Sequence, residues 1–394
     1  MSLARRVNDI AVALFLFERR IDPAFRPLFN RVLREPIAAV VQALINLRRP
    51  NEHLAIAAER LLPNEEAIAD AITEQMALFI KAHYGPGTAQ RAGNTKTYGV
   101  VRGEFTVLPD LPPHLRQGLF AQPRTYPVWV RFAGPGPLAP PDMEDNGVLS
   151  IGIKVMGVEG EKLLDDEKMT QDFTGISAPT FTTPNVVENL KLQRLVAAGT
   201  PVLYFLNPFD SHLLDAVMQG LWSQTQTSPL EVPYYSCVAY LLGEGQAIHY
   251  CVRPRSNRYR PNGRSVPRNP SPNYLREAMA RTLARTEVLF DFLVQLQTDP
   301  HRMPIEDASV RWPERLSPFV AVATLRLPTQ TFDSEAQLAF AGNLSYNSWH
   351  SLAAHRPLGN QNRARKRIYL TVSRLRQEMN CQPHVEPTGD EVFD

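Results

Sequence analysis

The sequence predicts an α+β protein: a closed antiparallel β-barrel of about eight strands, with surrounding helices and a helical N-terminal arm. Segments between residues 98 and 327 are rich in Val, Phe and Thr, and turn-forming residues separate them, as is typical of strands. Before residue 84 and after about residue 333, apolar residues recur at helical spacing instead. Eight antiparallel strands are enough to close a barrel.

The predicted strands follow one another without an internal repeat. They cover 98–108, 126–132, 149–158, 169–174, 234–242, 246–252, 308–312 and 319–327. Residues 243–245 (Gly-Glu-Gly) form a connection of hairpin length between the fifth and sixth strands. Helical spacing of apolar residues predicts helices over 185–197, 211–225 and 273–298.

Three regions are predicted along the chain. They are a helical N-terminal arm (1–84), a barrel core with inserted helices (85–332) and a C-terminal helical segment (333–394). Residues 1–50 carry nine arginines against four acidic residues, a net charge of +5. A basic amphipathic helix can lie on an anionic membrane surface or dock on a partner. The alternative is an arm that packs on its own domain or on a sister subunit, and the sequence leaves both open.

The composition limits the class of protein. Of the 394 residues 44% are hydrophobic, which suffices for a packed core, and the net charge of +2 indicates no nucleic-acid partner. Three cysteines at long spacings form neither a disulfide framework nor a CxxC metal site. No apolar run reaches the roughly 18 residues that span a bilayer, and no secretory cleavage site is clear. We therefore expect a cytoplasmic protein, with peripheral membrane contact as an alternative. A basic, proline-rich segment over 253–273 is expected to be a solvated loop.

A basic stretch near the C-terminus carries the strongest chemical signal. No Gly or Pro interrupts residues 363–380, and apolar residues there recur at helical spacing. On that helix Arg365 lies one turn below Tyr369, and Arg376 lies about two turns above it on the same side. A guanidinium beside a phenol favours the phenolate, and a phenolate can be an axial ligand of haem iron. Taken alone, however, this spacing fits a surface salt-bridge helix better.

Several short segments elsewhere in the chain are informative because of the order in which they occur. They are 91–96 (RAGNTK), 99–107 (GVVRGEFTV), 128–132 (VWVRF), 153–155 (IKV), 171–173 (QDF), 178–181 (APTF), 343–347 (NLSYN) and the pair Arg365 and Tyr369. In this order, over about residues 88–378, they resemble the haem catalase superfamily, in particular a catalase-related bacterial group. The resemblance implies an antiparallel eight-stranded barrel of catalase type, a haem pocket on one side of it and a following helix that supplies the iron ligand.

The resemblance also implies haem b as the cofactor and assigns residues to it. Tyr369 matches the axial iron ligand, and Arg365 matches the arginine that keeps it ionised. Arg91, Arg131 and Arg376 match positions that hold the haem propionates. Physical chemistry agrees, because two carboxylates buried with a porphyrin need cations and the forked guanidinium suits them.

The chain departs from the family on the peroxide-binding side. Asn94 stands where catalases have a histidine that shuttles a proton, and an amide cannot accept and return a proton near neutral pH. The family's distal asparagine aligns with Ser177, a supporting serine with Ala133, and an Arg-Gly pair with residues 149–150. We therefore predict weak dismutation of hydrogen peroxide. Asn94 and Ser177 are the candidate catalytic residues, the first to orient a peroxide and the second to line the substrate pocket.

Three functions follow from these expectations. The first is a haem-dependent oxidoreductase or hydroperoxide-converting enzyme, acting on a small peroxide or an organic, including lipid, hydroperoxide. The second is a non-catalytic haem sensor or carrier. The third is a degenerate relic without haem, against which the five haem-holding residues argue. A structural role is expected for His83, His114, His249, His301, His350 and His355.

Overall fold

The computed structural model describes residues 3–50, 53–255 and 266–393, and within them nine strands form one antiparallel sheet. The strands are β1 (Thr97–Val107), β2 (Thr125–Ala133), β3 (Ser150–Met156), β4 (Thr170–Ile176), β5 (Tyr234–Tyr235), β6 (Tyr240–Leu241), β7 (Ala247–Pro254), β8 (Val288–Leu296) and β9 (Val320–Leu327). Pairing runs in the order β5-β4-β3-β2-β1-β9-β8-β7, and β5 also pairs with β7. The ring of eight strands is therefore closed, while β6 pairs with β7 beside β5. The predicted closed eight-stranded barrel and the α+β class are confirmed. Residues 256–265 of the predicted basic loop lie outside the described residues.

Aromatic side chains fill the inside of the barrel. The ring of Phe292 lies 5.3 Å from that of Phe105 and 4.8 Å from that of Phe173, centroid to centroid. Phe120 and Tyr250 stack around the same ring at 5.9 and 5.2 Å. All five side chains are buried in one continuous hydrophobic core. Because this interior is packed with side chains, a cofactor has to bind outside the barrel wall.

Alternation along β2 decides which side chains reach that outer surface. Val128, Val130 and Phe132 belong to the core inside the barrel. Successive side chains of a strand point to opposite faces, so Trp129 and Arg131 point outwards. Trp129 packs against Phe340 with ring centroids 5.3 Å apart, outside the barrel. Arg131 is thus carried on a rigid wall, facing away from the barrel interior.

The predicted helix over 273–298 is wrong beyond residue 283. A helix ends at Leu283, and Val288–Leu296 forms strand β8 between β7 and β9. No Gly or Pro marks the break, and the apolar spacing fits either structure. Tertiary pairing decides, because without β8 the facing edges of β7 and β9 would leave buried backbone groups unpaired.

Two further strand predictions are wrong in part. Residues 308–312 form no strand, because Ala308 pairs with an irregular segment: its N–H donates to Pro184 O at 2.7 Å and its carbonyl accepts from Phe181 N–H at 2.9 Å. The predicted strand over 234–242 is split into β5 and β6. Between them Cys237 has a φ of 58°, a left-handed conformation that interrupts a strand.

Helices surround the barrel. They are α1 (Leu3–Val32), α2 (Arg34–Arg48), α3 (Glu65–His83), α4 (Val186–Ala197), α5 (Leu203–Leu206), α6 (Leu213–Gly220), α7 (Tyr274–Leu283), α8 (Glu335–Asn343) and α9 (Asn360–Met379). A separate hydrophobic cluster joins α3, α4 and α9 through Ile72, Val186 and Ile368. In the described part of the chain, no helix has the length and apolar character needed to cross a membrane.

A group of ion pairs fixes the start of α9. Arg363 Nε lies 2.6 Å from Glu65 Oε1, and Arg363 Nη1 lies 2.6 Å from Glu59 Oε1 and 3.1 Å from Glu306 Oε1. Glu306 also accepts a hydrogen bond from the backbone N–H of Asn360 at 2.7 Å. The carboxylates stabilise the partial positive charge of the helix N-terminus. The ion pairs hold α9 at a fixed position beside the barrel.

Candidate functional site

Helix α9 presents two different faces. Ala364, Ile368 and Val372 recur every fourth residue and are buried in the cluster shared with α3 and α4. At 100° per residue, Arg365, Tyr369 and Arg376 fall within about 40° of one another, beside that buried face. All three line one cavity. Arg365 and Tyr369 themselves therefore take no part in a surface salt bridge, because neither side chain has an acidic partner among the described residues.

The barrel side of the cavity comes from the segment before β1 and from β2. Asn94 N–H donates to Pro135 O at 3.1 Å, and Thr95 N–H donates to Gly136 O at 3.0 Å. These bonds hold the segment of Asn94 against the loop that follows β2. Asn94 has a φ of 50°, in the left-handed region that Asn adopts more readily than most residues. Arg131, on β2, donates through Nη2 to Asn94 O at 2.7 Å and thereby joins the two elements.

One cavity of about 740 Å³ brings most of the predicted site residues together. Its size lies within the range of cofactor and ligand sites. It is lined by Arg91, Asn94, Arg131, Arg365, Tyr369 and Arg376. Ser177 is not among the lining residues: it is buried, and its Oγ accepts a hydrogen bond from Leu149 N–H at 2.8 Å. It thus lies directly after β4 and holds the residue before β3, and it does not line the cavity of the other site residues.

Three arginines of the cavity have no acidic partner. Arg131 and Arg376 are 5% and 3% exposed, and Arg91 is partly buried. None of the three forms an ion pair with a described residue, and none donates a hydrogen bond to one through Nη1. Burial lowers the pKa of Arg91 to about 10. Burial also lowers the pKa of Arg131 and of Arg376 well below the usual value, and the charge of Arg91 lowers both further.

Carbonyl groups at the end of α8 compensate this charge in part. Arg376 Nη2 donates to Asn343 O at 3.2 Å and to Leu344 O at 3.3 Å. Arg91 Nη2 donates to Ala341 O at 3.0 Å and also to Leu344 O. The last carbonyls of a helix lack intrahelical partners and carry partial negative charge, so they suit a guanidinium. They leave the Nη1 donors of both arginines directed at no described acceptor.

Arg365 and Tyr369 form the second part of the site. Arg365 Nη1 donates to Asn362 Oδ1 at 3.1 Å, and its guanidinium lies 5.0 Å from the ring centre of Phe181. Burial lowers the pKa of Arg365, but attraction to Tyr369 and nearby phenol and thiol groups outweighs burial and raises it. The Tyr369 hydroxyl donates to no described residue. Arg365 is thus a permanent cation next to a phenol whose oxygen is free to bind a ligand.

Comparison with solved structures identifies the architecture. Catalase A from Saccharomyces cerevisiae has a TM-score of 0.60 at 12% identity, covering 88% of this chain and 72% of that one. A fungal catalase has a TM-score of 0.58 at 13% identity, and a bacterial catalase 0.56 at 15%; each covers 88% of this chain and 70% of its own. The fold is that of the catalases. At such low identity the likeness shows the fold alone. No protein-family model matches the chain, and no curated sequence matches it.

Within this catalase fold, the structure places one histidine at the cavity that was expected to be only structural. His350 and Asp166 both line the cavity, and His350 Nε2 lies 3.2 Å from Asp166 Oδ1. On its other side His350 Nδ1 lies 2.9 Å from Asp172 Oδ2. Lys154, buried on β3, pairs with Asp172 and Glu167 in the same cluster. Since Lys154 already supplies a cation to both carboxylates, the cluster is a network of ion pairs.

The spacing of these residues in the sequence does not predict that they form a cluster. Its members are Lys154, Asp166, Glu167, Asp172 and His350, from three separate parts of the chain. The nearest signals were residues 153–155 and 171–173, part of the resemblance to the catalases, which contain Lys154 and Asp172. Tyr346 of a third such segment, 343–347, lines the cavity. The ring of Tyr346 packs where a side chain at Gly152 would lie, 2.8 Å from an ideal Cβ. Gly152 is therefore required for the close approach of this ring to β3.

The charge state of His350 gives a testable dependence of stability on pH. Burial lowers its pKa, but hydrogen bonds to Asp166 and Asp172 outweigh burial and raise the pKa to about 9. An unfolded histidine titrates near pH 6.5. The stabilisation is therefore fully present below about pH 6.5 and is lost as the pH rises through about 9. Between about pH 7 and pH 9.5, we expect the contribution of His350 to the free energy of unfolding to fall by roughly 2 kcal/mol.

Urea unfolding of the wild type and of His350→Gln across this pH range measures the effect. The free-energy difference between the two proteins should shrink by that amount as the pH rises. His249→Gln is the matched control, because burial lowers the pKa of His249 to about 3 and the residue stays neutral throughout. A constant difference between the wild type and His350→Gln would show that His350 is not charged in the folded protein.

Proposed function

We propose that the cavity binds haem b and that the protein converts organic hydroperoxides and is a poor catalase. One observation carries the proposal: a phenol with a permanent cation beside it shares a cavity with Arg91, Arg131 and Arg376, which are partly or fully buried and lack acidic partners among the described residues. Buried cations without anions are costly, so the site suits a ligand that brings carboxylates. A porphyrin with two propionates and an iron ion matches both parts of the site.

The chain's residues divide the task of holding this group. Tyr369 would bind the iron, and Arg365 favours its anionic form because a neighbouring positive charge stabilises a phenolate. Arg91, Arg131 and Arg376 would hold the propionates through the N–H donors that meet no described acceptor. Haem iron, when bound, supplies the redox chemistry that cleaves an O–O bond.

The polar groups of the cavity disfavour the acid–base steps of catalase turnover. The side-chain amide of Asn94 makes no hydrogen bond to a described residue, so it is available to orient a ligand but unable to shuttle a proton. His350 is the histidine of the cavity wall, and a pKa of about 9 keeps it protonated at neutral pH. A protonated imidazolium is an acid and not a base at that pH.

An organic substrate is favoured by the remainder of the cavity wall. Val12 and Phe15 of α1, Leu192 and Val196 of α4, and Val202 and Phe205 beside or within α5 line it. These apolar side chains extend the cavity well beyond the cluster of arginines and would accept an acyl chain. Rearrangement of an organic hydroperoxide redistributes oxidation state within one molecule, so it needs no separate reductant. A haem sensor or carrier would not require this apolar extension.

Tyr369→Phe tests the proposed iron ligand. Changes in residues that merely support a metal ligand cost 10–100-fold in affinity, so loss of the ligand should weaken haem binding at least about 100-fold. Titration with haemin, followed by visible absorption, measures this. Tyr84→Phe is the control, because it removes the hydroxyl group of a half-buried tyrosine that lies outside the cavity. An unchanged spectrum and affinity in Tyr369→Phe would exclude Tyr369 as the ligand.

Asn94→His tests the proposed limit on catalase activity. A positioned base typically contributes ~10²–10⁴-fold, so we expect oxygen release from hydrogen peroxide to rise about 10²-fold over a very low wild-type rate. His is also among the residues that tolerate the left-handed backbone of this position. Asn94→Gln is the matched control, since it keeps an amide. Rapid oxygen release by the wild type would contradict the proposal, and turnover of no organic hydroperoxide by haem-loaded protein would favour a sensor or carrier.

A further inference from the structure

Helix α1 exposes an apolar stripe along its whole length. The stripe has the spacing of one helix face: Val7, Ile10, Leu14, Phe17, Ile21, Phe25, Leu28 and Val32. These side chains are exposed, Leu14, Phe17 and Leu28 by 65%, 62% and 70%. At 1.5 Å per residue the stripe from Val7 to Val32 is about 38 Å long. Contiguous apolar surface of this kind marks an interaction site.

Buried polar contacts hold the opposite side of α1, so the helix cannot turn its stripe inwards. Asp22 Oδ2 accepts a hydrogen bond from Thr225 N–H at 2.7 Å, and Arg19 O accepts one from Thr225 Oγ1 at 2.6 Å. Arg26 Nη2 donates to Ser223 O at 2.7 Å. Rotation of α1 would break these buried bonds and leave their groups unpaired. The outward direction of the apolar stripe is therefore built into the fold.

Charge distribution indicates what covers the stripe. Arg6, Arg20 and Arg31 are exposed and lie along one edge of the stripe on the helical wheel. Asp9 is the one acidic side chain classed as exposed among the described residues of α1. An antiparallel second copy would bring two arginine edges together without acidic partners. Anionic phospholipid headgroups complement such an edge, and apolar residues bordered by basic ones are typical of helices at the membrane interface.

The apolar wall of the cavity adjoins the same helix. Val12 and Phe15 of α1 line the cavity together with Phe205 of α5. Asn8 Oδ1 accepts a hydrogen bond from Val202 N–H at 3.3 Å, which ties the start of α1 to α5. Three residues beyond α5, Phe209 is 96% exposed. Apolar surface thus extends from the stripe to the part of the wall that α1 and α5 share.

We propose that α1 docks the protein on an anionic bilayer surface and places the cavity wall of α1 and α5 next to the lipid. An acyl-chain hydroperoxide could then enter from the bilayer without crossing water. The identity of that substrate rests on the proposed function above, whereas the docking itself rests on α1 alone. The arrangement is peripheral, since the stripe lies in the interface and does not span the membrane.

Vesicle flotation of the full-length protein tests the docking. We expect binding to phosphatidylcholine vesicles that contain phosphatidylglycerol, and weaker binding to phosphatidylcholine alone. The double variant Leu14→Asp and Phe17→Asp should lower the partition coefficient at least about 100-fold, since it removes two exposed apolar side chains that the bilayer would bury. Arg20→Gln with Arg31→Gln should lower it about 30-fold on anionic vesicles only, since each arginine contributes about fivefold. Phe209→Asp should lower it about tenfold if the α5 side faces the lipid.

The controls separate this proposal from the others. Leu61→Asp changes an equally exposed residue, 73% exposed and outside α1, and should bind vesicles like the wild type. Tyr369→Phe should lose haem but still bind vesicles, so failure of haem binding and failure of docking are distinguishable. Absence of vesicle binding overturns the proposal, as does equal binding by the Leu14 and Phe17 double variant. A concentration-dependent dimer that this double variant abolishes, without vesicle binding, would assign the stripe to a second copy of the chain.

Discussion

The cavity and the ligand that it suits both depend on buried positive charge that has no acidic partner. Elsewhere in the chain Arg363 contacts three carboxylates, and the buried Lys154 contacts two. Arg91, Arg131 and Arg376 instead converge on one cavity with only carbonyl and hydroxyl acceptors. Leaving ions in a protein interior without counter-charge costs several kcal/mol each. Such an arrangement makes physical sense when a bound ligand supplies the anions.

The scaffold explains how this charge is held in place. Arg131 lies on a barrel strand, Arg91 on a segment tied to the loop after that strand, and Arg376 on a helix anchored at its start by Arg363. The packed barrel interior keeps the strand from shifting, since a close-packed core transmits strain rather than absorbing it. The cations are therefore preorganised for a ligand, which reduces the entropy lost on binding.

Sequence reasoning succeeded where a feature depends on local pattern. The strands around Gly99, Arg131 and Lys154 were predicted from β-branched and aromatic residues, and the α9 helix from apolar spacing. It failed where long-range pairing decides, as in β8, whose pattern also fits a helix until the edges of β7 and β9 are known. The cavity role of His350 was missed because its partners Asp166 and Asp172 lie far away in sequence. Ser177 was aligned to a pocket position, but its hydroxyl is used to fix Leu149.

Because the sequence identity to the solved catalases is only 12–15%, the function has to be inferred from the side chains of the cavity and not from the shared fold. A shared fold does not determine activity, which depends on the groups in the site. Here Tyr369 and four arginines that have no acidic partner among the described residues line the cavity. His350, which also lines it, has a pKa raised to about 9. Helix α1 carries both the exposed apolar stripe and two residues of the cavity's apolar wall, Val12 and Phe15.

The central claim is that the buried arginines are arranged for the carboxylates of a cofactor. Its most direct test compares the affinity of the wild-type protein for haemin and for haemin dimethyl ester, which differs only in its uncharged, esterified propionates. Charge-assisted hydrogen bonds contribute roughly 1.5–3 kcal/mol each, so two lost carboxylates should weaken binding by about 10²–10⁴-fold. Equal affinity for the acid and the ester, measured by absorption titration, would contradict the account.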